Sequence, residues 1–255
     1  MPHSDTPVNE RKYRVIASDL RAAIAKAQYP VGTRLPGEND LMRQYQVARM
    51  TARQALAQLI NEGLAVARKG SGVYVREFRP VLRSGVGRLS ARGWGSGRSV
   101  WAADTSQRDL AVDQVEVRRA EPPDRIRLLL DLPDDPELRV VARSRRYVLD
   151  GKPVLLSVSY LPGALAAGTM IEYKDAGPGG IYARLRELGQ APARFREDLR
   201  ARMPEPDETD RLALPPGTPV VDLVRTAYTA DGQIVEVNEM TADSASYVFR
   251  YDFDA

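Results

Sequence analysis

The side chains of this sequence that are suited to chemistry are mostly arginines. Of the 37 basic residues, 32 are Arg and 5 are Lys, a skew that either GC-rich coding or the recognition of anions produces. There is no Cys, which excludes disulfide scaffolds, thiolate zinc sites and cysteine nucleophiles. Because the one His is His3, near a polar N-terminus, catalysis by a positioned imidazole is not expected. We therefore expect no catalytic residue, no metal site and no cofactor, and the remaining chemistry is the binding of anions by guanidinium groups.

Charge is distributed unevenly along the 255 residues, although the formal total is only +3. Residues 1–76 hold 12 basic and 6 acidic side chains, and residues 1–100 hold 17 and 7, which leaves −7 for the rest of the chain. Such an asymmetry indicates contact with nucleic acid or a membrane. No apolar run approaches the roughly 20 residues that span a bilayer. Charges recur from Arg11 to Lys26, where a signal peptide would be apolar, so we expect a cytoplasmic protein.

Three predicted helices precede a basic hairpin in the N-terminal block. Apolar residues recur at helical spacing from Tyr13 to Ala27, and further helices are predicted over Glu38–Tyr45 and Arg49–Asn61. Two short strands follow within residues 64–75, and Arg68-Lys69-Gly70-Ser71-Gly72 forms the tip between them. This order predicts a winged helix-turn-helix. Such a module binds DNA because one helix fits the major groove and a basic wing reaches phosphates or the minor groove.

The same block resembles a known family in several ordered motifs. These motifs are Leu35-Pro36-Gly37-Glu38, Val47-Ala48-Arg49-Met50-Thr51-Ala52-Arg53-Gln54-Ala55-Leu56, Glu62-Gly63-Leu64 and Lys69-Gly70-Ser71-Gly72. Together they are similar to the signature of the GntR family of bacterial repressors. The resemblance implies that the N-terminal block binds an operator in double-stranded DNA.

The resemblance also implies which side chains contact that DNA. Arg49 and Arg53 would enter the major groove, where Arg donates bidentately to guanine O6 and N7, and Thr51 would add a contact to a phosphate or a base edge. Gly70 would let the wing backbone approach the minor groove, because a Cβ would obstruct it. Two positions depart from the family pattern, since relatives often have Ser in place of Ala48 and Arg in place of Asn39, whose amide still hydrogen-bonds phosphate or adenine. These departures imply either an altered operator or greater dependence on the remaining basic side chains, Arg34, Arg43, Arg68 and Lys69.

Beyond residue 76 the sequence is dominated by strand patterns. We predict a linker over residues 77–85 and a second domain over residues 86–255. Two Asp-Gly turns, Asp150-Gly151 and Asp231-Gly232, predict hairpins. The predicted strands cover residues 112–118, 138–147, 154–161, 220–228 and 234–240, and the predicted helices cover residues 124–130 and 181–188. Hairpins with few helices indicate an α+β fold with a mainly antiparallel sheet.

This second block resembles the effector-binding (UTRA-like) domain of the HutC branch of the GntR family, which shares the chorismate lyase fold. The resemblance is carried by Arg143-x-Arg145 before Asp150-Gly151-Lys152-Pro153, by Ser159-Tyr160-Leu161-Pro162 and by Asp231-Gly232-Gln233-Ile234-Val235-Glu236. It implies that Arg143 and Arg145, which share one face of a strand, clamp an anionic group of a small effector. Ser90 and Ser159 would supply hydroxyls, and Glu236 would anchor a polar group opposite. The alternative is that the arginines pair with Asp or Glu on a solvated sheet face.

Three functions are compatible with these features. The first, which we predict, is a homodimeric repressor released from a palindromic operator by a small anionic effector. The second is a repressor without an effector, as among regulators of plasmid transfer, whose C-terminal domain only dimerises. The third is an enzyme of chorismate-lyase type, but the sequence offers no nucleophile with a base, no metal-ligand cluster and no glycine loop that would cradle phosphate. No membrane partner is expected.

Overall fold

A computed structural model of the chain describes residues 8–77, 80–85, 89, 108–133, 135 and 139–252. The chain divides into two units, one formed by residues 1–79 together with 215–218, and the other by residues 80–214 and 219–255. No helix in these described stretches is long and apolar enough to cross a membrane.

The first unit contains three helices followed by a two-stranded antiparallel hairpin. The elements are α1 (Val8–Ala25), α2 (Glu38–Tyr45), α3 (Arg49–Asn61), β1 (Ala65–Arg68) and β2 (Gly72–Val75). The predicted bounds of α2 and α3 are confirmed. At the start of α2 the Gly37 amide donates to Asp40 Oδ2 at 3.1 Å, which satisfies a backbone donor that the helix leaves free. Past the end of α3, Gly63 adopts a left-handed φ of +73°, a conformation that ends helices and favours glycine.

One hydrophobic core holds the first unit together. Ile16 and Leu20 of α1 are buried against Ala55 and Leu59 of α3, and Val75 of β2 closes the same cluster. Small alanines on α3 let the helix backbones approach closely while the larger side chains fill the space between them. Each buried Ile or Leu contributes roughly 1.5–3 kcal/mol to folding. The opposite face of α3 is thereby left at the surface.

The second unit is built around one large sheet. Its elements are β3 (Val81–Ser84), β4 (Leu110–Ala120), α4 (Asp124–Leu129), β5 (Val140–Leu149), β6 (Lys152–Pro162), α5 (Gly163–Ala166), α6 (Gly180–Glu187), β7 (Arg194–Arg202), α7 (Pro206–Arg211), β8 (Val220–Tyr228), β9 (Ile234–Asp243) and β10 (Tyr247–Arg250). Single 3₁₀ turns occur at Met170–Glu172 and Ser244–Ser246. Six strands pair antiparallel in the order β4-β5-β6-β9-β8-β7, which confirms the predicted α+β class and antiparallel sheet. The Asp150-Gly151 turn has positive φ at both residues, as a two-residue hairpin requires.

Helices cover both faces of the sheet. Alternate strand residues point to opposite sides, so each face contributes its own side chains to a core. Val141 and Leu161 pack under α6 with its Leu185, whereas Val140 packs against Ile126 of α4. The face under α6 also carries Arg143, Arg145, Ser159 and Glu236, so this face positions the predicted ligand residues.

Strand β3 lies within the segment that we predicted as a linker. It pairs in parallel with β10, and Val81 and Tyr247 are buried with Leu155 and Met240 of the main sheet. Residues 81–84 therefore belong to the second unit, because their alternating side chains contribute to its core.

Candidate nucleic-acid interface and ligand pocket

Two arginines extend from the exposed side of α3 and are held by α2. The side chains of Arg49 and Arg53 are 61% and 58% exposed. Arg53 Nε donates to Glu38 Oε1 at 2.7 Å, and Arg49 Nη2 donates to Asn39 Oδ1 at 3.3 Å. The hydrogen bond from Arg53 is the main reason that the pKa of Glu38 lies below its usual value, so this carboxylate is charged at neutral pH. Glu38, to which the sequence analysis gave no role, fixes the direction of a guanidinium group.

Thr51 lies on the other side of the same helix. Its side chain is fully buried, as is that of Ala55 one turn later, and both face the core. The structure therefore contradicts the predicted DNA contact by Thr51, because a buried hydroxyl cannot reach a phosphate or a base edge. Helical periodicity explains the difference, since residues 51 and 55 share the inner face while 49 and 53 share the outer one.

The hairpin tip carries a second group of basic side chains. Lys69 and Arg68 are exposed, and the Arg68 guanidinium lies over the Tyr74 ring at 4.1 Å from its centroid. Gly70 has a φ of +72° and open space where a Cβ would stand. Arg34 runs beside β2 and forms an isolated bridge with Tyr74. The predicted contacts Arg34, Lys69 and Gly70 thus lie together on the wing.

A small cavity of about 70 Å³ opens on the face of the sheet that α6 covers. Of the predicted effector residues, Arg145, Ser159 and Glu236 line it, joined by Tyr182, Arg225 and Asn238, which the sequence analysis missed. Its volume corresponds to a few water molecules or one small polar group. The one sequence signal for Arg225 was a basic residue inside a largely apolar strand, Val220–Tyr228.

Arg143 does not line this cavity, contrary to the predicted clamp. Its side chain is 1% exposed, and its guanidinium donates to the carbonyls of Ile171, Tyr173 (2.6 Å) and Lys174 (3.1 Å). Burial, reinforced by the neighbouring charge of Arg145, lowers its pKa to about 10. Arg143 therefore anchors the 171–174 segment to the sheet.

Ser90, the remaining predicted effector residue, lies outside the described residues. Of the two arginines predicted to clamp the effector, Arg143 and Arg145, only Arg145 lines the cavity.

A chain of buried polar groups leads away from the cavity. Tyr182 donates to Glu236 Oε2 at 2.6 Å, and Arg225 Nη1 donates to the Tyr182 hydroxyl at 3.2 Å. Arg225 also donates to Glu197, which a second buried arginine, Arg83 of β3, contacts from the other side. Burial raises the pKa of Tyr182, and the nearby Glu236 carboxylate adds to this, so the phenol stays protonated and remains a donor.

One oxygen in this chain of buried polar groups lacks a donor among the described residues. Glu236 is 1% exposed, and its Oε1 accepts no hydrogen bond from any described residue. Because a buried carboxylate oxygen without a donor costs roughly 1–3 kcal/mol or more, the cavity suits a ligand that brings a donor to this atom. Arg145 supplies positive charge on the same wall.

A winged helix-turn-helix with paired exposed arginines, followed by a sheet domain, is the architecture of a DNA-binding regulator. Comparison with known proteins agrees. Residues 12–75 match the bacterial regulatory proteins of the gntR family, and residues 105–247 match the UTRA domain. The chain belongs to the GntR family of transcriptional regulators that carry a UTRA domain.

Relatives extend over nearly the whole chain. An uncharacterised HTH-type transcriptional regulator of Streptomyces coelicolor is 30% identical over 250 residues, covering 95% of this chain and 92% of its own length. The HTH-type transcriptional repressor NagR of Bacillus subtilis is 22% identical and covers 95% of this chain and 94% of its own. A crystal structure of a GntR-family transcriptional regulator is similar with a TM-score of 0.65 at 26% identity, covering 99% of this chain and 100% of its own. The protein is thus a DNA-binding transcriptional regulator.

Proposed function

We propose that the protein is a homodimeric repressor that leaves a palindromic operator when a small anionic effector binds its sheet domain. The proposal that the protein binds an operator rests on the exposed pair Arg49 and Arg53 of α3, whose guanidinium groups are hydrogen-bonded to Asn39 and Glu38 of α2. A guanidinium fixed by a neighbouring carboxylate loses less freedom when it pairs with a guanine. A dimer follows from the module, because two recognition helices related by a two-fold axis match the two half-sites of a palindrome.

The wing supports the same proposal from a second direction. Arg34 and Lys69 are exposed, and Gly70 leaves room for close approach of a sugar-phosphate backbone. Contacts to phosphate position the protein without specifying sequence. We therefore assign sequence readout to α3 and positioning to the wing, with the Asn39 amide nitrogen as a further donor.

The lining of the cavity favours an effector that carries both an anionic group and a hydrogen-bond donor. Arg145 favours an anionic group, and the unpaired Glu236 Oε1 favours a hydroxyl or ammonium donor. Ser159 adds a hydroxyl on the same wall. Binding would shift the equilibrium between DNA-competent and DNA-incompetent arrangements only through different affinity for the two.

Alanine variants test the DNA-binding part. An operator is first selected from random duplexes with the full chain, and affinity is then measured by fluorescence anisotropy at several salt concentrations. Arg49→Ala and Arg53→Ala should each weaken operator binding roughly tenfold or more, because a bidentate contact to guanine is worth about 1–3 kcal/mol. Arg118→Ala removes one 59% exposed arginine from the second unit and is the control. Unchanged affinity and sequence preference in both α3 variants would contradict the proposal.

A thermal-shift screen of anionic metabolites tests the effector part. A ligand at 100 times its dissociation constant should stabilise the folded chain by about 2.7 kcal/mol, and it should stabilise Arg145→Ala far less while releasing wild-type protein from the operator. Stabilisation of both proteins alike would remove Arg145 from the site. If no metabolite stabilises the protein although operator binding is intact, the C-terminal domain serves dimerisation alone.

A further inference from the structure

The exposed face of α3 presents two side chains besides the arginines. Met50 is 58% exposed, and Gln54, four residues later, is exposed as well. Residues four apart on a helix are neighbours on one stripe, so Met50 and Gln54 form a second row beside Arg49 and Arg53. The buried residues of the helix, Thr51 and Ala55 among them, point the other way.

Among the described residues, neither side chain contributes to the packing or to the side-chain hydrogen bonds of the first unit. Met50 is absent from the hydrophobic side chains that pack on the core of the first unit, in the part of the chain that the structure describes. The described residues likewise offer no hydrogen-bond partner to the Gln54 amide, whereas Arg49 and Arg53 are both engaged with α2. A large apolar side chain and a free amide at the N-terminal end of this helix lie where base edges are read.

We propose that Met50 and Gln54 read A·T pairs in each operator half-site, next to the guanines that Arg49 and Arg53 contact. The thioether chain of Met50 packs against the C5-methyl group of a thymine, and the Gln54 amide donates to N7 and accepts from N6 of an adenine. Both pairings follow from the groups that A·T presents in the major groove, where only thymine carries a methyl group. The inference rests on α3 being the recognition helix, as proposed above.

Removing single methyl groups from the DNA tests the role of Met50. Each thymine of the selected operator is replaced in turn by deoxyuridine, and affinity is measured with the full chain. Loss of one contact of methyl size should weaken wild-type binding about fourfold at one thymine of each half-site, and Met50→Ala should be insensitive at that position. The inference is overturned if no thymine methyl affects wild-type binding, or if Met50→Ala retains the same sensitivity.

Changing a single adenine atom tests the role of Gln54 in the same way. Replacement of one adenine by 7-deazaadenine removes the acceptor N7, and wild-type binding should fall roughly fivefold at one position. Gln54→Ala should bind both duplexes alike. If Gln54→Ala remains as sensitive as wild type at every adenine, or if no adenine is sensitive in either protein, Gln54 does not read the sequence.

Matched controls come from the second unit. Met203→Ala removes a methionine that is 61% exposed, and Gln233→Ala removes an exposed glutamine, so both should leave affinity and base preference unchanged. Because Met50 and Gln54 are exposed, both variants should fold as the wild type does, which circular dichroism checks. The two proposals fail differently: if the DNA-binding proposal is wrong, Arg49→Ala and Arg53→Ala keep operator affinity, whereas if only this inference is wrong, both arginine variants still lose affinity.

Discussion

Glu197 of β7 joins two buried arginines, and its replacement by Gln tests the energetics of that cluster. The side chain of Glu197 is 6% exposed, and those of Arg83 and Arg225 are 1% and 2% exposed. Arg83 Nη1 donates to Glu197 Oε2 at 3.0 Å, and Arg225 Nε donates to Oε1 at 3.0 Å. Burial by itself raises the pKa of the carboxyl, but the hydrogen bonds and charges of the two guanidinium groups outweigh burial and lower its pKa from 4.5 to about 2.

The lowered pKa of Glu197 sets the size of the expected effect. Each tenfold change in proton affinity corresponds to about 1.4 kcal/mol, so ionised Glu197 stabilises the folded state by about 3 kcal/mol at neutral pH. Because the pKa is lower in the folded state, this stabilisation is present above the unfolded pKa of 4.5 and is lost as the pH falls towards 2. Breaking a buried ion pair typically costs 3–5 kcal/mol, which agrees in magnitude. We expect Glu197→Gln to lower the free energy of unfolding by about 3 kcal/mol at neutral pH, and by about 2 kcal/mol near pH 3.5.

Urea unfolding followed by far-UV circular dichroism at both pH values measures this loss. The transition of interest is that of the sheet-rich second unit. Asp198→Asn is the matched control, because Asp198 neighbours Glu197 on β7 but is 65% exposed and pairs with Arg196 at 3.3 Å, so it should change stability by less than about 0.5 kcal/mol. A loss below about 1 kcal/mol for Glu197→Gln at neutral pH, or a loss that does not shrink at the lower pH, would show that the two guanidinium groups do not stabilise the ionised carboxylate.

Three further predictions concern the first unit. Glu38→Gln should reduce the discrimination between operator and random duplex roughly threefold to tenfold in competition binding, because Arg53 loses its anchor. Gly72→Ala should destabilise this unit by about 1–3 kcal/mol in thermal unfolding, since Gly72 has a φ of +117° and an added Cβ would lie 2.8 Å from Arg34 Nε; an unchanged melting temperature would contradict the backbone strain, which remains even if Arg34 moves away. Thr51→Ser should cost about 1 kcal/mol of stability for the lost buried methyl while repeated operator selection returns the same sequence, and a changed selected sequence would contradict the burial of Thr51.

The helices of the first unit were predictable because their signals are local. Acidic residues at the start of α2 and Gly63 after α3 each act within a few residues, and the predicted bounds of these two helices match the structure. Apolar residues at helical spacing predicted α1 as well, but from Tyr13 to Ala27, whereas the helix covers Val8–Ala25. The Asp150-Gly151 turn acts in the same way on its hairpin. Strand β7 gave no such signal, because this edge strand is largely charged and exposed along its length.

Which side chain is available for function was decided by tertiary structure. The sequence alone determined the winged helix-turn-helix, the antiparallel second domain and the exposed pair of arginines on α3, since helical and strand periods assign residues to faces. The sequence could not show that Arg143 donates its hydrogen bonds to backbone carbonyls about 30 residues further along the chain, which leaves Arg145 at the cavity. Nor could it pair Arg83 with Glu197 across 114 positions. Such contacts depend on how distant strands align, and no local pattern encodes that alignment.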